Sequence, residues 1–91
     1  MISFSIGKLE QCIEIQQRLV SDTPFRDEIS DILLRYTRGD WGDTEHDICT
    51  SNTLNAVAGG EISARYHLSD GRVIFITTDA PHGKTVMMFE D

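Results

Sequence analysis

Basic side chains are scarce in this sequence. Its 91 residues carry 8 Lys or Arg against 15 Asp or Glu, a formal charge of −7 with His neutral. Direct nucleic-acid binding needs a basic patch to meet phosphates, and the 8 basic residues are spread along the chain. The same deficit argues against adsorption to anionic membranes. It leaves room for a basic protein partner, for mimicry of a nucleic acid, or for charge that serves solubility alone.

Long apolar runs are missing too. None approaches the roughly 20 residues that a membrane-spanning helix needs. The start, Met1 to Lys8, alternates apolar and polar residues and has no signal-peptide core. A cytoplasmic location is therefore expected, with Cys12 and Cys49 reduced. Two cysteines are too few for a disulfide framework. Only 2 Pro and no low-complexity stretch interrupt the chain, which points to one domain over residues 1–91.

The negative charge is not evenly placed. Residues 1–21 balance, residues 22–47 hold 8 carboxylates against Arg26, Arg35 and Arg38, and residues 48–91 hold 5 against 3. Most of the excess thus sits in the middle.

Hydrophobic periodicity sets the expected fold. Ile2, Phe4 and Ile6 alternate with Ser3 and Ser5, a short strand stopped by Gly7. Residues 9–20 are spaced loosely as a helix. Thr23-Pro24 reads as a cap followed by Pro in the first turn, and Ile29, Ile32, Leu33 and Tyr36 form one stripe before Gly39, so residues 24–38 make a second helix. Thr44 can cap a third, with Glu45 and Asp47 in its first turn and an irregular apolar set at Ile48, Cys49, Leu54, Ala56, Val57 and Ala58, ended by Gly59-Gly60. The period then drops to two. Residues 62–68, 73–78 and 84–89 read as strands, joined by an Asp70-Gly71 hairpin and a longer turn over 79–83. Val73 to Thr78, apolar on both faces at first, is expected in the centre. The fold class is α+β: a short first strand, about three helices, then a three-stranded antiparallel meander. The last strand presents Thr85 to Phe89 as an edge on which a second copy could pair, giving a homodimer.

Chemical motifs are sparse. His46 and Cys49 have the i, i+3 spacing of two zinc ligands on one helix face, but no second close pair exists among Cys12, His67 and His82. A small zinc-binding domain is the first alternative reading. Asp40, Asp43, Glu45 and Asp47 do not match a calcium-loop spacing. No G-x-S-x-G elbow and no phosphate loop occur, and no context supports a Cys–His nucleophile pair. A shallow enzyme site near Arg65, Tyr66, His67 and His82 is the second alternative. Arg38-Gly39-Asp40 matches an adhesion tripeptide only because Gly39 stops a helix. No catalytic residue and no cofactor is assigned.

Trp41 is the one residue whose presence local structure does not explain. It is the sole Trp and lies in a polar loop. It can plug the junction between two helices. Alternatively, it can serve as an aromatic anchor ringed by Asp40, Asp43, Glu45 and Asp47, a composition that grips a basic surface.

The run Arg38-Gly39-Asp40-Trp41-Gly42-Asp43, a helix with Asn52, the Gly59-Gly60 stop, Tyr66-His67 and Ile76-Thr77-Thr78-Asp79 together resemble one pattern. It is similar to a group of small Gly-Asp-Trp-Gly proteins of bacterial plasmids and phages, over most of residues 31–91. Glu61 and the Asp79-Ala80-Pro81-His82 turn depart from that group's pattern. The resemblance implies mobile-element company, where small inhibitors of host defence, including anti-CRISPR proteins, are found. The leading expectation is a non-enzymatic acidic interaction module. Asp40, Trp41, Asp43, Glu45 and Asp47 would meet a basic, nucleic-acid-binding protein, with carboxylates competing for the Lys and Arg that otherwise hold phosphate.

Overall fold

A computed structural model describes residues 4–90. The chain runs β1 (Lys8–Gln11), α1 (Ile13–Ser21), α2 (Thr23–Thr37), α3 (His46–Ala58), β2 (Ile62–His67), β3 (Val73–Thr78) and β4 (Lys84–Glu90). The fold is α+β, as the change of period indicates, with three helices and one mixed sheet in the order β1-β4-β3-β2. No helix among the described residues is long and apolar enough to cross a membrane.

The first strand is displaced from its expected place. Of residues 2–6, Ile2 and Ser3 lie outside the described residues, and 4–6 are not a strand. Phe4 instead turns its ring into the core, 5.4 Å from the Tyr36 ring and 5.9 Å from Trp41. The strand forms after Gly7, over Lys8–Gln11, and pairs parallel with β4 from Lys84 to Met87. Leu9, expected in a helix, belongs to this strand, so α1 begins only at Ile13. The edge expected at β4 is therefore covered by β1 along four of its seven residues. A homodimer built by pairing on that edge loses its basis there.

α2 follows its apolar stripe. Phe25, Ile29, Ile32 and Tyr36 are all buried. The cap is Asp22 rather than Thr23: its carboxylate accepts from the Phe25 N–H at 3.1 Å. That bond holds the carboxyl below its usual range. β3 sits between β2 and β4, as its apolar composition requires.

β2, β3 and the first half of β4 alternate. Ile62, Ala64, Tyr66, Ile74, Ile76, Thr78, Thr85 and Met87 are buried on one sheet face, which carries the helices. Polar groups buried there are paired. Tyr36 OH lies 2.6 Å from Thr78 Oγ1, which lies 2.7 Å from Thr85 Oγ1, and the latter donates to the Ile6 carbonyl at 2.7 Å. A carbonyl only accepts and each hydroxyl has one proton, so the direction propagates. Thr78 donates to Thr85, and Tyr36 donates to Thr78. The chain of bonds ties α2, β3, β4 and the N-terminal segment together.

Candidate functional site

The loop 40–44 lies along the outer edge of β2. Gly42 bridges Arg65 in parallel fashion, and the Asp43 N–H donates to the Arg65 carbonyl at 2.8 Å. Thr44 Oγ1 accepts from the Arg65 N–H at 2.9 Å while donating to the Trp41 carbonyl at 2.5 Å. This dual use explains why Thr44 is not the cap of α3, which starts at His46 with Glu45 in the cap position and no side-chain cap bond. Gly42 has φ +64, and a Cβ there would collide with the Tyr66 ring. Only glycine permits this approach.

Asp40 and Asp43 serve the same junction. Asp40 binds the Arg35 guanidinium at 2.9 Å and accepts from the Gly42 N–H at 3.1 Å. Arg35 holds its carboxyl below the usual range. The Asp40 carbonyl accepts from Tyr66 OH at 2.5 Å. Burial, then the nearby Asp40 charge, raises the Tyr66 phenol well above its ordinary value. Asp43 Oδ2 accepts from the His67 N–H at 2.9 Å and lies 2.9 Å from His67 Nδ1. The His67 backbone bond is the larger cause of its lowered carboxyl pKa, with the ring bond second.

Trp41 is buried, with 5% of its surface exposed. Its ring meets Tyr36 edge-on at 5.7 Å, and its Nε1–H donates to Thr53 Oγ1 at 3.2 Å. The expectation of an exposed aromatic anchor is overturned: the indole gains more from the core between α2 and α3 than a loop surface can offer. Asp40 and Asp43, expected to face a partner, already hold Arg35 and His67. Glu45 and Asp47 remain exposed and, among the described residues, make no ion pair.

The alternatives fare differently. Cys49 Sγ donates to the Thr44 carbonyl at 3.4 Å, while His46 is exposed. Among the described residues no three His, Cys, Asp or Glu side chains converge, so His46 and Cys49 gain no further ligand. Arg65, Tyr66, His67 and His82 do not share a site. His82 Nε2 is 2.8 Å from the Gly60 carbonyl at one end of β2, whereas His67 ends the strand at the other.

Two residues outside the expected set complete the surface. Leu54 and Val57 are 67% and 83% exposed on α3. At 100° per residue they lie on the side of Asp47, opposite Asn52 and Ala56, which face the sheet. The visible signal was the irregularity of the apolar set: residues 54 and 56 cannot share one helix face. No basic residue occurs from Gly39 to Ala64, a stretch with five carboxylates.

No family model, curated protein or solved structure matches the chain.

Proposed function

We propose that the protein is a non-enzymatic interaction module that binds a basic segment of a protein partner on the outward face of α3. The observation that carries this is the exposure of Leu54 and Val57 beside Asp47 on a helix lacking any Lys or Arg, with exposed Glu45 in its cap position. Apolar side chains held in water cost free energy that a partner recovers, about 1.5–3 kcal/mol for full burial of one Leu or Val. The carboxylates select a cationic partner and speed its approach. Asp40, Trp41 and Asp43 act beneath this surface by fixing α3 against β2.

The resemblance to Gly-Asp-Trp-Gly proteins of mobile elements makes a nucleic-acid-binding defence protein of the host a fitting partner, with the module as its inhibitor. Carboxylates on α3 would then compete for Lys and Arg side chains that otherwise hold phosphate. The test is calorimetric titration with a synthetic peptide of alternating lysine and leucine residues. The wild-type chain binds it and does so more weakly at high salt. The double variant Asp47→Lys, Leu54→Glu loses the binding. Equal affinity of the two chains defeats the proposal.

A further inference from the structure

The three helices cover one face of the sheet, and among the described residues no element covers the other. That open face presents Ser63, Thr77, Val86 and Glu10 in one row, Arg65, Phe75 and Met88 in the next, and His67, Val73 and Glu90 in a third. Its centre is apolar: Val73, Phe75 and Val86 are half-buried and Met88 is 37% exposed. Arg65 reaches diagonally across the Phe75 ring, 5.2 Å from its centroid, to Glu90 at 2.6 Å. Lys84 meets Glu10 at 3.1 Å on the far side. A shallow cleft of about 420 Å³ at one rim is bounded by Glu61, Asp79, Lys84 and Val86.

Charge sets this face apart. Lys8, Arg65 and Lys84 stand against Glu10 and Glu90, a balance of +1, or −1 with the rim carboxylates Glu61 and Asp79, in a chain of −7. Two copies of a −7 protein repel each other over most of their surfaces. Here they do not, and each copy brings both signs.

We propose that the open sheet face is a homodimer interface, packed sheet to sheet through Phe75, Val86 and Met88. Sheets packed in this way lie about 10 Å apart with their inner side chains interdigitated. Strands about 4.8 Å apart and about 20 Å long give a face of roughly 400 Å² in projection. This is modest beside the roughly 800 Å² of accessible surface per partner in a standard interface. Dimerisation is therefore concentration-dependent. The dimer leaves both copies of α3 pointing outward, which makes the assembly bivalent. This interface does not depend on what α3 binds.

The experiment is sedimentation equilibrium of the full chain from about 5 to about 500 μM, a range that brackets a weak dimer. The wild-type chain passes from monomer to dimer. Met88→Glu, exposed enough to leave the far-ultraviolet dichroism unchanged, associates at least about tenfold more weakly. Leu54→Glu on α3 associates as wild type does. Added salt screens the residual repulsion and leaves the dimer as tight or tighter, whereas it weakens a cationic partner on α3. A wild-type chain that stays monomeric assigns the face to another occupant and overturns the proposal. So does a Met88→Glu chain that dimerises normally, or a Leu54→Glu chain that does not dimerise.

Discussion

Asn52 on α3 holds both backbone groups of Ser63 on β2: its Nδ2 donates to the Ser63 carbonyl at 2.6 Å and its Oδ1 accepts the Ser63 N–H at 3.2 Å. Asn52 is buried, so these bonds replace the strand that β2 lacks on its outer side. Thr44, Asp43 and the Asp43 carboxylate do the same for Arg65 and His67. An edge strand left open is a template for aggregation. In this protein a helix and a loop close it.

Asn52→Ala removes a donor and an acceptor at once. Each group of Ser63 left unpaired costs about 1–3 kcal/mol, so a loss of about 2 kcal/mol or more is expected in urea unfolding. The variant is also expected to aggregate on heating more readily than wild type. An Asn52→Ala chain within about 0.5 kcal/mol of wild type, the range of an ordinary surface change, would show that the edge is closed by other means.

Trp41 is a structural residue. Trp41→Ala is expected to lose about 3–5 kcal/mol, the range for a large aromatic removed from a core. Its fluorescence in the native chain is predicted to be blue-shifted and to resist acrylamide. Emission that is quenched as readily in the native as in the unfolded chain would contradict its burial.

Acid should unfold the junction. The carboxyls of Asp40 and Asp43 lie below the ordinary 3.8 in the folded chain, by the Arg35 bond and the His67 bonds respectively. Above 3.8 both the folded and the unfolded chain carry these charges, and the stabilisation is fully present. As pH falls below 3.8 the unfolded chain takes up protons first, and the contribution is lost. Asp43→Asn therefore gives a shallower fall of stability with decreasing pH. An acid limb identical to wild type in urea titrations would show that the Asp43 bonds to His67 add nothing to stability.

At the other end of the scale stands Tyr36. Burial pushes its phenol up to about 12 from 10.0. A raised acid binds its proton more tightly in the fold, so its stabilisation is intact below 10.0 and falls as pH rises toward 12. Tyr36→Phe costs about 1 kcal/mol, a typical net hydrogen bond, and flattens the alkaline limb. An unchanged alkaline limb in that variant contradicts the assignment.

Sequence periodicity revealed those elements whose own side chains determine them. The α2 stripe, the Asp70-Gly71 hairpin and the central place of β3 were legible because local pattern and tertiary burial agree there. β1 was not. Lys8-Leu9-Glu10-Gln11 has one apolar residue, and its pairing with β4 is set by contacts more than seventy residues away. The 40–47 segment was legible as special but not in kind. Its carboxylates and Thr44 looked like caps or partner contacts, and only the neighbouring β2 edge shows what they bind. In sequence, Leu54 and Val57 belong to an irregular apolar set with no single helix face. Their exposure follows from the opposite side of α3 being held by Asn52 and Ala56.

The proposed partner surface lies on α3 and not on the loop around Trp41. Amide shifts of the isotope-labelled chain, followed while the lysine–leucine peptide is added, test it directly. Changes concentrated at Glu45, Asp47, Leu54 and Val57, with Asp40 to Gly42 unmoved, are the predicted result. Changes concentrated at Asp40 to Asp43, with Leu54 and Val57 unmoved, would contradict it.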